Sequence, residues 1–598
     1  MKVLKLLKDA PYFKGLDDQA LIALQEKGSL VEIKCGHPLL QQGDTSKDAY
    51  FLLDGRLRAI LETEGEESTV LGEIGRGEVV GEMAAVFGSK RNATIIAVRN
   101  SLLLRLSSVD FVELLQSQKN SLLELSKTIL KRSKRSFVPD SRISTVTLVP
   151  INANINLEDF SKQLAEAVSR FTSVRMLSST IVKEQLSGVN LHEEEKSLEA
   201  FLTQQEDEYS MLIYQADPSW NKWTEACLAR TDKILWIADA TQSPEASRFE
   251  RRIKQASLSL NHASHELVLL HPSRAQPPIG TRRWLENRDL SRHYHIASNY
   301  PGDIQRLARF LTGNAIGVAL SGGGFRSSVQ MGILHAMMEG GIPVDIIGGT
   351  SGGALIGGNF SQIISLDEFQ PLSVEAYEQF KGTRKLTLPF ISLYAGRKFT
   401  RAIKALSRGK YIEDLWIDFF CLSLSLVRGK LVMHTKGPMW EAIRASMAVN
   451  GILPPVMKDG DCLVDGGLVN SCPTDLLIQF GAGKSIAIVA SSKSGIKIDT
   501  PFTPEVSGWN LLLKKLNPFY RKEIAPSIGS NILQSMYIAS DHLQYRIFAD
   551  SPVDLFIQPP IDEFPSMDVH SGIELYQFGY EYGLSHIEEW KAQLGINT

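Results

Sequence analysis

Apolar and polar positions change rhythm twice along this chain. Over residues 1–140 short apolar runs alternate with turn residues. There "LDDQALIALQEKG" has helical spacing, and "AYFLLDGRLRAILE" sets Asp54-Gly55 between two apolar-rich arms, which predicts a hairpin. A long helical stretch then runs from Val109 to a basic end at Lys131, Arg132, Lys134 and Arg135. That cluster suits a solvated helix C-terminus, with a membrane-surface contact as the other reading. From 145 to about 312 the runs "TVTLVPI", "MLIYQA", "KILWIADA" and "HELVLLHP" alternate with helical segments such as "EDFSKQLAEAVSRF" and "WNKWTEACLAR". Strands alternating with helices predict a parallel, doubly wound sheet. Its first strand is followed by "INANINLEDF", which holds no glycine, so no phosphate loop is expected there. The charged stretch "HEEEKSLEAFLTQQEDE" reads as an exposed face, and 417–427 as a buried strand. A second α/β unit begins near 315.

Composition narrows the class without naming it. The chain of 598 residues is 43% hydrophobic and 22% charged, with a net charge of −3. That balance gives no general pull toward nucleic acid, and no nucleic-acid partner is expected. Five scattered cysteines without a CxxC pair (Cys35, Cys227, Cys421, Cys462, Cys472) argue against a disulfide scaffold and against a zinc site, and suit a reducing compartment. No apolar run reaches the roughly 18 residues of a membrane span, and the start lacks a signal-peptide core. The expectation is a cytoplasmic protein that meets any lipid from the membrane surface.

Candidate chemistry concentrates after residue 315. The strand "AIGVAL" runs into Ser321-Gly322-Gly323-Gly324-Phe325-Arg326-Ser327-Ser328, a helical segment follows, and "VDIIG" leads into Gly349-Thr350-Ser351-Gly352-Gly353. The second stretch fits G-x-S-x-G, a strand-to-helix turn that pushes a serine hydroxyl outward and tolerates no side chain on either flank. The triple glycine offers consecutive backbone N–H groups at a helix start, a cradle for a phosphate or an oxyanion. As a G-x-G-x-x-G dinucleotide loop it fails: the sixth position is Ser327, and Asp345 is the only acid near the required distance. Both loops leave neighbouring strands at their carboxyl ends and can face each other. A nucleophilic serine needs a base. A Ser…Asp…His order nominates His542, His570 or His586, whereas Asp465, ending a strand before Gly466-Gly467, is the stronger candidate.

Gly322-Gly323-Gly324-x-Arg326, Gly349-x-Ser351-x-Gly353 and Asp465-Gly466-Gly467, in that order, resemble the three motifs of patatin-like phospholipases. Runs such as "GIPVDIIGGTS", "MHTKGPMWEAIRASM" and "LVDGGLVNSCPTDL" resemble its neuropathy target esterase branch. The resemblance implies a Ser351–Asp465 dyad without histidine, an oxyanion hole from Gly322, Gly323 and Gly324 with Arg326 nearby, and an acyl-enzyme. It implies no required cofactor or metal, and a phospholipid or lysophospholipid substrate. The chain departs from that branch at Ser321, Phe325, Ser327 and Gly352.

"GEVVGEMAAVFGSKRNATIIAV" resembles the phosphate cassette of cyclic nucleotide-binding domains. Gly81, Ala93, Thr94 and the Arg91 guanidinium would hold a cyclic phosphate, and Glu82 a ribose hydroxyl, with cAMP or cGMP as regulator. The expected architecture is multidomain α/β. It comprises a cyclic nucleotide-binding-like β-roll over 1–140, a Rossmann-like α/β spacer over 141–312 and a patatin-like α/β hydrolase over 313–598. Residues 508–522, where aromatic and aliphatic residues interleave with four cations, read either as an interfacial anchor or as a lid helix. A rival function is a cyclic-nucleotide-responsive binding protein with a decayed hydrolase.

Overall fold

A computed structural model describes residues 7, 18–34, 36–62, 69–75, 77–98, 100–117, 144–152, 155–186, 194–260, 263–491, 509, 528–565 and 568–596. The chain divides into two compact units, Met1–Ser273 with Arg283–Gly313, and Arg274–Arg282 with Asn314–Thr598. The basic cluster at 131–135 lies outside the described residues, as does 508–522 apart from Trp509.

The first unit opens with a roll of two four-stranded antiparallel sheets. One contains Ala49–Asp54 beside Ser101–Leu106; the other contains Leu57–Leu61 between Thr94–Ala97 and Thr69–Ile74. The two arms around Asp54-Gly55 therefore belong to different sheets, and the expected hairpin is a corner instead. The cause lies in Ala49–Asp54 itself, which is buried on both faces. Phe51 and Leu53 enter one core, while Leu52 joins Leu57 and Ile74 in another. Gly55 turns the corner at φ 95°, where a Cβ would sit 2.6 Å from the Asn100 carbonyl oxygen.

The same unit continues as a six-stranded parallel sheet in the order Val174–Ser178, Met211–Gln215, Thr145–Pro150, Lys233–Asp239, Ser264–His271, Arg292–Ala297. The central four are the apolar runs of the sequence. The two edge strands escape a hydrophobicity reading because arginine and histidine interrupt them, even though Tyr294, His295, Ile296 and Ala297 are buried. After the first strand, Asn156 caps helix Leu157–Ser169 by accepting the Asp159 N–H at 3.1 Å. That turn is closed by a side-chain cap where a phosphate loop would need glycine. An ion pair between Arg56 and Asp232 (2.7 Å) ties roll to sheet, and both side chains are largely buried.

The second unit is a mixed sheet of eight strands: β1 (Ile316–Leu320), β2 (Ile346–Thr350), β3 (Asp418–Ser425), β4 (Lys430–His434), β5 (Val456–Lys458), β6 (Asp461–Asp465), β7 (Lys484–Ile488) and β8 (Leu555–Ile557). Their order is β5-β6-β3-β2-β1-β7-β8, with β4 paired to β3. Strands β3, β2, β1, β7 and β8 are parallel neighbours. Its helices among the described residues are α1 (Ser328–Glu339), α2 (Gly352–Phe360), α3 (Phe369–Phe380), α4 (Gly396–Leu406), α5 (Met439–Ser446), α6 (Thr474–Gln479), α7 (Ile528–Asp550) and α8 (Gly572–Leu594). α1 and α8 meet glycine to backbone: a Cβ on Gly332 would lie 2.0 Å from the Tyr576 carbonyl oxygen. No helix among the described residues is long and apolar enough to cross a membrane.

Candidate active site

Strand β3 explains how two residues 114 positions apart in "GGTSGG" and "LVDGG" meet. Along one edge it pairs in parallel with β2, ending at Thr350 opposite Leu422. Its very next residue, Ser423, pairs with Asp465 of antiparallel β6. β4 occupies residues 421–425 of β3 from the other edge, so β2 and β6 share the first edge and meet carboxyl end to carboxyl end. Ser351 leaves β2 at that junction, and its side chain comes close enough to the Asp465 carboxyl to lower its pKa.

Ser351 has φ 56° and ψ −122°, a conformation that costs a non-glycine residue free energy and persists only where neighbours enforce it. The enforcement is visible. A Cβ on Gly349 would lie 2.5 Å from the Gly353 carbonyl oxygen, and one on Gly353 2.4 Å from that of Leu320. The Ser351 N–H donates to the Ser446 hydroxyl of α5 at 2.9 Å. Asp465 is held as firmly. Its N–H donates to the Ala448 carbonyl at 3.0 Å, and its carboxylate accepts the Gly467 N–H at 2.8 Å. Gly466 packs so tightly on β3 that a Cβ would be 2.9 Å from the Leu422 backbone.

Burial pushes the Asp465 carboxyl up to about 6, against the opposing pull of the Ser351 side chain and the Gly467 hydrogen bond. A carboxylate with that affinity for a proton can accept one from a hydroxyl at neutral pH and return it.

The glycine loop lies against the elbow: a Cβ on Gly322 would be 3.3 Å from the Ser351 Cβ, and one on Gly352 2.4 Å from the Gly324 carbonyl oxygen. The N–H groups of Gly323, Gly324 and Gly352 meet no acceptor among the described residues. The Gly322 N–H is different, because it donates to the Ser471 carbonyl at 3.1 Å. Gly322 therefore lines the site and is not one of its donors, a correction to the reading from sequence. Arg326 turns away as well, its Nε donating to the Phe564 carbonyl. Of the departures, Ser321 has a structural use: its hydroxyl takes the Ala490 N–H at 2.8 Å and donates to the Gly322 carbonyl at 2.9 Å. Ser327 is buried, and its hydroxyl has no partner among the described residues. Phe325 packs edge-on to Phe380 and lines a cleft of about 500 Å³, mouth included, with Leu355 and Ile356 of α2 and Leu372 of α3. Most of that lining is apolar, with Ser328, Ser373, Tyr377 and Asn359 as its polar members; the Asn359 Oδ1 has no partner among the described residues.

His570 bonds Tyr377 and His586 bonds Ser585 and the Tyr582 carbonyl. His542 is exposed beside Asp541. None of the three is partnered to Ser351 or Asp465. Sequence reasoning passed over His434 on β4. Its Nε2 lies 2.7 Å from the hydroxyl of Ser423, the residue paired with Asp465, and burial lowers its pKa to about 4, so it stays neutral. Only the β3–β4 pairing reveals it. Among the described residues no acidic, histidine and cysteine cluster could hold a metal ion.

In the roll, Gly81 (φ 80°) caps the short helix Glu82–Phe87, and Glu82 and Arg91 are both buried. Arg91 uses its three nitrogens within its own module, on the Ser46 hydroxyl (3.1 Å), the Gly81 carbonyl (3.0 Å) and the Asp48 carbonyl (2.8 Å). Thr94 donates to Glu62 at 2.9 Å and accepts the Gln42 N–H. Ala93 precedes the strand Thr94–Ala97.

Three family models match successive parts of the chain. Residues 30–118 match the family model of the cyclic nucleotide-binding domain, 142–301 that of the neuropathy target esterase family P-loop like domain, and 318–478 that of patatin-like phospholipase. The chain is 30% identical to human patatin-like phospholipase domain-containing protein 6 over 93% of its length and 44% of that protein. It is 31% identical to neuropathy target esterase sws of Drosophila melanogaster (93% and 42%) and 29% to lysophospholipase nte1 of Emericella nidulans (98% and 43%). The chain thus spans under half the length of these relatives.

Proposed function

We propose that this chain, whose recognisable domains are those of the neuropathy target esterase branch of the patatin-like phospholipases, is a serine hydrolase of phospholipid or lysophospholipid carboxylic esters. One observation carries the reading: a serine held at a strained elbow stands beside a buried carboxyl whose pKa is about 6, next to unspent backbone N–H groups. In this reading Ser351 Oγ bonds to the ester carbonyl carbon while its proton passes to Asp465. The negative charge on the carbonyl oxygen falls to the N–H groups of Gly323, Gly324 and Gly352, which cost nothing to reorganise because they are already fixed. Collapse breaks the bond to the alcohol, which leaves with the Asp465 proton. Water then adds to the acyl-enzyme, giving its proton to Asp465, and the acid departs as Ser351 recovers it. No step calls for a metal or a cofactor. The Phe325 cleft is the natural place for an acyl chain.

The domains read as 1–140, 141–312 and 313–598, with the first as a regulatory module for cAMP or cGMP. A ligand phosphate there would have to draw Arg91 from the Gly81 and Asp48 carbonyls, so nucleotide affinity should be weak. The test is hydrolysis of lysophosphatidylcholine and of a short-chain chromogenic ester by wild type, Ser351→Ala and Asp465→Asn. Turnover lost in both variants supports the dyad. Folded wild type that turns over neither substrate removes it, and the binding-protein reading takes its place.

A further inference from the structure

Between α3 and α4 the chain does something unusual for a soluble surface. Leu386, Leu388, Phe390 and Ile391 are exposed to 73%, 74%, 90% and 70%, four large apolar side chains within six residues. Scattered exposed apolar residues need no explanation, but a contiguous cluster does. The segment is nevertheless built. The Thr387 N–H donates to the Leu393 carbonyl and the Ala395 N–H to that of Lys385, closing a narrow loop whose tip is Leu388-Pro389-Phe390-Ile391.

Along the chain, the charge on either side of the tip has one sign. Residues 381–410 contain nine lysines and arginines and no aspartate or glutamate, in a chain whose net charge is −3. Lys385, Arg397, Lys398 and Arg401 are exposed, and none has a carboxylate partner among the described residues. An apolar tip flanked along the chain by exposed cations matches the layering of a bilayer, hydrocarbon beneath anionic headgroups.

The loop also stands on the candidate site. The Leu393 N–H donates to the Gly451 carbonyl and the Tyr394 N–H to that of Ile452. The same turn supplies the Ala448 carbonyl that holds Asp465, and follows the helix whose Ser446 holds Ser351. At the loop's other root, the Arg384 guanidinium lies 5.7 Å over the ring of Phe325, which lines the apolar cleft.

We propose that the 386–391 tip inserts into an anionic phospholipid surface and delivers lipid to the Phe325 cleft; the delivery half rests on the hydrolase reading above. Co-flotation of the full chain with vesicles of phosphatidylcholine, alone or mixed with phosphatidylserine, tests it, with hydrolysis of a vesicle-borne lysophospholipid and of a soluble short-chain ester read in parallel. Wild type should bind the mixed vesicles better, and less so as salt rises. Leu388→Ser with Phe390→Ser should reduce binding and vesicle-borne turnover by roughly tenfold or more. Soluble-ester turnover should be unchanged. Arg397→Glu with Lys398→Glu should abolish the preference for phosphatidylserine. Equal flotation of wild type and the tip variant, or none by wild type, overturns the proposal, as does a tip variant whose only change is loss of self-association. Should neither substrate be hydrolysed while flotation still depends on the tip, the anchor stands and the hydrolase reading falls.

Discussion

Two glycine-flanked cradles in this chain look alike as strings and differ as structures. At the elbow, the N–H groups of Gly323, Gly324 and Gly352 meet no acceptor among the described residues, and Asp465 is buried at a raised pKa. In the roll, Arg91 is also buried, yet each of its nitrogens already has a partner in the fold. Unspent donors beside a shifted carboxyl are costly in a structure and signal a group awaiting substrate. A guanidinium spent on backbone carbonyls signals a module that holds itself together. The lesson is that residue types nominate a site, while leftover hydrogen-bonding capacity separates chemistry from architecture.

The contrast is broken most directly at the proposed nucleophile. Ser351→Ala should lower kcat/KM for a short-chain ester by about 10³-fold or more. Asp465→Asn should cost roughly 10²–10⁴-fold, with both variants folded by circular dichroism. Retained turnover in either would put the cradles on the same footing.

A pH profile sharpens the comparison. If Asp465 acts as the base, kcat/KM rises with pH through about 6 as the carboxyl ionises. The stability sign is opposite: burial raises the folded pKa from 3.8 to about 6, so unfolding free energy falls as pH rises across that window. Asp465→Asn should remove both trends; a profile flat from pH 5 to pH 7 would contradict them.

Ser446→Ala should leave the buried Ser351 N–H without its acceptor, lowering stability by about 1–3 kcal/mol in a denaturant titration and reducing kcat more than it raises KM. Arg91→Ala should destabilise the roll by about 3 kcal/mol, seen as an earlier thermal transition, with short-ester turnover retained. The smallest effect should be that of added cAMP or cGMP. A thermal shift of several degrees at low ligand concentration would show that Arg91 does release its carbonyls.

Much of this was legible in residues alone. Local chemistry determined that "GGTSGG" must turn sharply and that "LVDGG" ends a strand, because the steric demand on glycine acts over a few bonds. Alternation of apolar runs and helices set out the central strands of both sheets. Three matters waited for the tertiary structure. Which strand β3 pairs with after Leu422 decides that Asp465 meets Ser351, and that Ser423 and His434 lie behind it. Burial on both faces of Ala49–Asp54 turned a predicted hairpin into a corner between sheets. And the exposure of Leu388 and Phe390, ordinary apolar residues as letters, emerged only from where the fold leaves them. Backbone sterics are local and so written in the sequence; partner choice and burial are collective, and only the assembled chain decides them.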